Sequence, residues 1–208
     1  MKALPKKLLP LTVFAIAVTS FFCVRPAQAG YIVTLQQVGA NVVATGSGAF
    51  NLNGLTFVDS RIATNQALVI ANSGVIQTAP TGLVNVDEYN GFTGPTSFGS
   101  GGVHLANTSS GDFVSIFASG EFFFQDIFLP TTYVSNAALS DSMTFNNQTL
   151  ASLGVTPGTY VWTWGTGLPN QNFTLIIGRA GVPDGGSTVS LLAFAFLGLA
   201  ALRRKLSC

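Results

Sequence analysis

The pattern that decides the fold class lies in residues 31–39, Tyr31-Ile32-Val33-Thr34-Leu35-Gln36-Gln37-Val38-Gly39. Large apolar side chains stand at every second position, at Tyr31, Val33 and Leu35. Because successive side chains of a β-strand point to opposite faces, this spacing predicts a strand with one buried face. The turn-forming residues Gly39-Ala40-Asn41 follow at once, so we expect a hairpin to a second strand.

The same alternation recurs in three later segments of the chain. Their apolar positions are Val114, Ile116 and Ala118; Tyr160, Trp162 and Trp164; and Phe173, Leu175 and Ile177. Gly- and Asn-rich turn sequences separate these segments, which favours short antiparallel strands joined by hairpins. Helix signals are scarce: residues 60–71 and 134–141 contain alanine and could each form a helical turn, but neither has a sustained apolar stripe.

These signals predict an all-β domain over residues 30–181, built as an antiparallel β-sandwich of jelly-roll type. A β-solenoid or a barrel remains open. The length suits one domain with its own core. Residues 91–102 are rich in Gly, Ser, Thr and Pro, so we expect a long surface loop there.

Charge is very unevenly distributed along the chain. Between residues 30 and 181 the only basic residues are Arg61 and Arg179, against seven acidic ones, and lysine is absent from this range. An acidic surface offers no counter-charge for phosphates, so nucleic acid is excluded as an expected partner. The two cysteines, Cys23 and Cys208, lie outside the range, so no disulfide is expected in the domain.

The first 29 residues have the composition of an export signal. Lys2, Lys6 and Lys7 precede an apolar stretch over 8–22, and the small residues of Ala27-Gln28-Ala29 stand directly before Gly30. This order predicts a signal peptide, residues 1–29, that signal peptidase removes between Ala29 and Gly30. An uncleaved N-terminal anchor is less favoured because polar residues and Pro10 interrupt the apolar stretch.

The C-terminal segment has the composition of a membrane anchor. Residues 189–202 contain only Ser190 as a polar side chain, and Arg203, Arg204 and Lys205 follow directly. Counted from Gly185, the helix would be about 27 Å long, close to the roughly 30 Å of a bilayer core. We therefore predict a transmembrane helix over about 185–202, whose basic end stays in the cytoplasm while the domain lies outside.

The tail, residues 182–208, resembles the C-terminal sorting domain of bacterial PEP-CTERM proteins, and most closely its VPDSG-CTERM variant. The resemblance rests on the order of a short motif, an apolar helix and a basic end. The motif residues are Val182, Pro183, Asp184, Gly185, Gly186, Ser187 and Thr188. The resemblance implies export, temporary anchoring and cleavage near the motif by an exosortase-type transpeptidase. It leaves the choice of sorting enzyme open, because Gly185 replaces the serine of the variant.

Tyr160, Trp162 and Trp164 share one predicted strand face and could form a platform for stacking sugar rings. Packing in the core is the favoured interpretation, because large aromatic side chains fill a sandwich interior efficiently. His104, the only histidine, is expected on a surface or an edge strand, and no cofactor or metal site is predicted.

Two pairs of acidic residues could serve in glycoside hydrolysis, Glu121 with Asp126 and Asp87 with Glu88. Adjacent strand residues point apart, so Asp87 and Glu88 are not expected to converge. A calcium site at Asp87 and Asn90 lacks the ligand spacing that would make it distinctive.

The sequence therefore predicts a non-enzymatic protein of the cell surface or extracellular matrix. Its expected partners are signal peptidase, an exosortase-type transpeptidase, the membrane before processing, and extracellular polysaccharide. The alternative is a secreted carbohydrate-binding module of lectin-like type.

Overall fold

A computed structural model of the chain describes residues 30–78, 81–119 and 125–178, and these residues form an all-β domain as predicted. Its strands are β1 (Tyr31–Val38), β2 (Asn41–Ala49), β3 (Thr56–Asn65), β4 (Leu68–Ile70), β5 (Val75–Thr78), β6 (Gly82–Asn90), β7 (Val103–Leu105), β8 (Thr108–Gly111), β9 (Val114–Phe117), β10 (Asp126–Pro130), β11 (Ala138–Phe145), β12 (Gly158–Thr163) and β13 (Asn172–Ile177).

The strands form two sheets. The six-stranded sheet has the order β12-β13-β1-β2-β11-β8, and the seven-stranded sheet has the order β3-β6-β10-β9-β5-β4-β7. One continuous cluster of buried side chains contains Val33 and Leu175 from the first sheet and Ile76 and Ile127 from the second. The two sheets are therefore packed against each other around a shared core.

The first and last strands of the domain are neighbours and run parallel. Tyr31 in β1 is opposite Phe173 in β13, and Leu35 is opposite Ile177. The prediction of antiparallel pairing is wrong for this pair, although the other pairs of described strands are antiparallel. A parallel pair needs a long connection, which the eleven intervening strands supply.

The two segments that could each have formed a helical turn, residues 60–71 and 134–141, contain strand instead. Residues 60–65 belong to β3, residues 138–141 belong to β11, and the helical element among the described residues is the 3₁₀ turn Ala71–Ser73. Both strands have a long antiparallel partner, β6 for β3 and β2 for β11. Sheet pairing therefore overrides the weak helix preference of a few alanines.

Part of the loop over residues 91–102 is packed against the core, which corrects the expectation of a surface loop. Phe92 and Phe98 are buried, and the Phe98 amide donates a hydrogen bond to the Ala71 carbonyl at 2.9 Å. Thr93 forms an isolated bridge with Thr163. The loop therefore packs against the core through its two phenylalanines, although its sequence is otherwise polar and rich in glycine.

Candidate functional site

Most of the residues predicted to direct export and sorting lie outside the described residues. They comprise Ala27 and Ala29 of the cleavage site, the motif residues 182–188, the helix proposed for 185–202 and the basic end at 203–205. In the part of the chain that the structure describes, no helix is long and apolar enough to cross a membrane.

Gly30, the first residue after the predicted cleavage point, is buried at the beginning of the domain. A Cβ atom added to Gly30 would lie 2.0 Å from the carbonyl oxygen of Asn172, so only glycine fits against β13 at this position. The predicted cleavage bond therefore adjoins folded structure. Cleavage before the domain folds would leave that bond accessible to the peptidase.

The described domain ends at Gly178, at the opposite end of the same strand pair. The Gly178 amide donates a hydrogen bond to the carbonyl of Leu35 at 3.0 Å. Because β1 and β13 are parallel, the chain enters beside Phe173 and leaves beyond Ile177. The segment that leads to the sorting motif thus starts from the end of the sheet that carries the β1–β2 turn.

The three aromatic residues of the possible glycan platform belong largely to the core. Trp162 and Trp164 are 0% and 4% exposed, whereas Tyr160 is half-buried. The Trp162 indole donates a hydrogen bond to the Pro95 carbonyl at 2.8 Å, and the ring contacts Phe173 edge to face at 5.6 Å. Since protein covers the ring, Trp162 has no face on which a sugar could stack.

Trp164 is fixed in a similar way. Its indole donates to the Asn51 carbonyl at 2.7 Å, and its ring stacks on Phe50 with centroids 5.8 Å apart. Tyr160 contacts Phe98, and its hydroxyl donates to the Thr156 carbonyl at 3.0 Å. Packing, the favoured interpretation of the sequence, therefore describes the placement of both tryptophans.

An open groove of about 480 Å³ lies beside Trp164. It is lined by Gly91, Thr93, Thr163, Trp164, Gly165, Gly167, Leu168, Gln171 and Asn172. The side-chain oxygen of Gln171 accepts hydrogen bonds from the backbone amides of Thr166 and Leu168, and its side-chain nitrogen donates to the Asn53 carbonyl. This side chain therefore fixes the position of one wall of the groove. No lining side chain is titratable, so the groove offers no charged group to a ligand.

A buried acidic pair joins β6 and β10. Asp126 is hydrogen-bonded to Glu88, and the two residues are 4% and 3% exposed. Burial, then the hydrogen bond to Glu88 and the Glu88 charge, raise the pKa of Asp126 to about 7, although the Arg61 charge opposes the shift. The carboxyl of Asp126 therefore stays neutral up to a higher pH than an ordinary aspartate carboxyl.

Arg61 of β3 completes this cluster. Its guanidinium forms an ion pair with Glu88 and lies 4.8 Å from the centre of the Phe128 ring. Of the two pairs considered for hydrolysis, Glu121 with Asp126 cannot be placed because Glu121 lies outside the described residues. Asp87 and Glu88 have different partners, since Asp87 accepts a hydrogen bond from the Ser60 hydroxyl at 2.6 Å and Glu88 pairs with Arg61. Sequence spacing alone does not predict the pairing of Glu88 with Asp126. The two residues meet only because of the register of β6 against β10.

A second polar cluster links the two sheets. Tyr31 of β1 and Thr78 of β5 both donate hydrogen bonds to Oδ2 of Asp141 in β11, and the Thr78 bond is 2.5 Å long. Burial raises the pKa of Asp141, while the bonds from Thr78 and Tyr31 oppose the rise. The cluster is enclosed, so its role is to connect the sheets.

Other candidate residues are dispersed. His104 is half-buried in β7, an edge strand of the seven-stranded sheet, as the sequence predicted. Asp87 lies within β6, and Asn90 is the last residue of that strand. Within residues 30–78, 81–119 and 125–178, no group of three or more His, Cys, Asp or Glu side chains is placed to hold a metal ion.

Comparison with known proteins identifies the tail. Residues 181–206 match the family model described as the VPDSG-CTERM motif, which is consistent with a PEP-CTERM-type sorting domain protein. This motif implies an exported, surface-directed protein that an exosortase-type system processes. No curated protein and no solved structure matches the chain.

Proposed function

We propose that this chain is a non-enzymatic protein of the cell surface or extracellular matrix, delivered by a cleaved signal peptide and released from a temporary anchor by an exosortase-type transpeptidase. The observation that carries the proposal is the match of residues 181–206 to the VPDSG-CTERM motif. The amino-terminal composition agrees with it, because Lys2 to Gly30 has the order of an export signal.

The tail would work by holding a cleavable segment at the membrane. Residues 185–202 would span the bilayer, and Arg203, Arg204 and Lys205 would hold the helix end in the cytoplasm. Pro183 has no amide hydrogen, and Gly185 and Gly186 disfavour regular structure, so the motif would remain accessible to the transpeptidase.

The displayed part would be a β-sandwich of two sheets, in a jelly-roll-like arrangement that departs from that type at the parallel β1–β13 pair. The shared core of the two sheets supports this assignment. Gly178 precedes the motif by only a few residues, so the end of the six-stranded sheet that carries the β1–β2 turn would face the membrane before release. An acidic domain without lysine suits a hydrated matrix better than a nucleic acid or an anionic membrane.

Mass spectrometry of the intact protein recovered from producing cells tests the proposal. We expect a mature protein that begins at Gly30 and ends between Asp184 and Thr188. Surface protein that retains Cys208 would show a permanent anchor instead, and protein that retains Met1 would contradict signal cleavage.

Two variants locate the determinants in the tail. Replacing Arg203, Arg204 and Lys205 together with glutamine should reduce retention and C-terminal processing, because the positive charge that fixes helix orientation is lost. Arg179→Gln is the matched control, since it removes a basic residue that precedes the motif. Equal processing of the two variants would contradict the role assigned to the basic end.

The alternative function is carbohydrate binding, for which the groove beside Trp164 is the favoured place because its lining is neutral and polar. Leu168, at the groove, and Val134 are both exposed apolar residues. If the groove binds polysaccharide, Leu168→Lys should abolish capture by an extracellular polysaccharide resin and Val134→Lys should not. Equal capture of the two variants would exclude the groove.

A further inference from the structure

Strand β3 forms an edge of the seven-stranded sheet and carries exposed apolar side chains. Within the described residues it pairs with β6 and with no other strand. Phe57, Val58 and Ile62 are 54%, 45% and 68% exposed. An edge strand of this length presents unpaired backbone donors and acceptors to any strand that approaches it, and exposed apolar residues add to the attraction.

The sequence of β3 is symmetric in character about Ser60. Phe57-Val58-Asp59 precedes Ser60, and Arg61-Ile62-Ala63 follows it. Two apolar residues and one charge therefore flank the serine on each side, and the two charges are opposite. In an antiparallel pair of two such strands centred on Ser60, each Asp59 would stand opposite Arg61, and each Val58 opposite Ile62.

We propose that β3 is a self-association surface, through which a second copy of this chain adds its own β3 in antiparallel register about Ser60. The symmetry is that of an isologous two-fold contact, in which the same patch of both copies is used. The pairing would join two seven-stranded sheets into one continuous sheet. The inference depends on the folded domain alone and holds whether or not the tail is cleaved.

Charge selects this register over its neighbours. Shifting the centre by one residue to Arg61 would place two arginines directly opposite, which is repulsive. A centre at Ile62 would place Asp59 opposite Asn65 and leave both charges without a cross-strand partner. The centre at Ser60 alone among these gives two opposite-charge pairs.

The side chains of Asp59 and Arg61, which would contact the second copy, are at least partly exposed to solvent. The Arg61 side chain is 36% exposed even though its guanidinium contacts Glu88, so part of it can face a partner. The Asp59 carboxylate accepts a hydrogen bond from the amide of Ser60 at 2.8 Å. In the pair, that amide would instead meet a backbone carbonyl of the second strand, and Asp59 would turn to the partner arginine.

The association is expected to be weak. A single pair of strands buries much less than the roughly 1,600 Å² of a standard protein interface. The irregularity between Phe57 and Asp59 lies in both copies and shortens the regular part of the pair. The edge charges limit pairing with unrelated strands that lack the complementary charges. Pairing would therefore depend on high local concentration and would favour this chain over other edges.

Site-specific disulfide cross-linking tests the register. The full chain carrying Cys23→Ser and Cys208→Ser has no remaining cysteine, so Ser60→Cys introduces a single thiol. In the proposed pair the Cα atoms of position 60 in the two copies would be about 5.5 Å apart, within the range for a disulfide. Ile62→Cys in the same background is the matched control, because its two copies would be about 14 Å apart.

With oxidised glutathione as oxidant, Ser60→Cys should give disulfide-linked dimer at least about tenfold faster than Ile62→Cys, an advantage that corresponds to about 1.4 kcal/mol. Adding Asp59→Arg should remove that advantage, since each arginine would then face another. Equal cross-linking rates for positions 60 and 62, or an advantage that Asp59→Arg leaves unchanged, would overturn the proposal. Association through the tail affects all these variants alike and cannot produce the difference.

Discussion

The hydroxyl of Tyr31 in β1 donates a hydrogen bond to the carboxyl of Asp141 in β11 across the intervening strand β2, and Thr78 donates to the same oxygen from the seven-stranded sheet. Gly46 lies against the pair, because a Cβ atom there would be 2.5 Å from both the Tyr31 hydroxyl and Oδ1 of Asp141. One carboxyl therefore accepts bonds from both layers of the fold. Such a buried polar contact stabilises only the arrangement in which every partner is in place.

Removing the Tyr31 hydroxyl should destabilise the domain. Tyr31→Phe leaves the buried Asp141 carboxyl with one donor fewer, so we expect the free energy of unfolding to fall by about 1–3 kcal/mol. Tyr160→Phe is the control, because its hydroxyl bond to Thr156 is exposed, and it should stay within about 0.5 kcal/mol of the wild type. Urea unfolding of the two proteins measures the difference, and equal midpoints would refute the role of the Tyr31 bond.

Adding a methyl group at Gly46 should disturb the same cluster by steric overlap. Gly46→Ala is expected to lower the free energy of unfolding by about 1–3 kcal/mol, since Tyr31 and Asp141 must move apart to admit it. Gly102→Ala provides the comparison, because no atom lies within 4 Å of its added Cβ. Thermal unfolding should separate the two variants; a Gly46→Ala protein as stable as Gly102→Ala would mean that the cluster is loosely packed.

The Asp126–Glu88 pair should make stability depend on pH. The pKa of Asp126 is raised to about 7 in the fold, so the folded state retains a proton that the unfolded chain releases near pH 4. The contribution of Asp126 to the free energy of unfolding should therefore be largest below about pH 4. It should fall by up to roughly 1.4 kcal/mol per pH unit as the pH rises from about 4 to about 7.

Asp126→Asn should flatten that slope, whereas Asp59→Asn, at an exposed position, should leave it as it is. Chemical denaturation at a series of pH values gives both slopes. A wild-type slope that survives in Asp126→Asn would assign the pH dependence to another group.

Truncating Trp162 should destabilise the fold, because this side chain belongs to the core and not to a binding surface. Trp162→Ala removes a fully buried side chain that contacts Phe173 and the Pro95 carbonyl, so a loss of about 3–5 kcal/mol is expected. Val161→Ala, on the opposite face of β12 and 41% exposed, should cost far less. Circular dichroism melting curves test this; a Trp162→Ala protein that keeps its stability but loses polysaccharide binding would restore the glycan platform.

Sequence pattern alone determined the strand faces that form the core. Tyr31, Val33 and Leu35 are buried as the period of two requires, and so are Phe173, Leu175 and Ile177. The tail was also recognisable from sequence, because a motif, an apolar run and a basic end act through local composition and order. Such features depend only on residues that are close together in the chain, so they can be recognised before the tertiary structure is known.

Tertiary structure decided which distant residues meet. The parallel pairing of β1 with β13, the contact of Glu88 with Asp126 and the exposure of β3 at a sheet edge all depend on strand order and register. Phe98 is buried in a segment of loop composition for the same reason. Local sequence sets the alternation of a strand, but the free energy of packing two whole sheets together selects its neighbours.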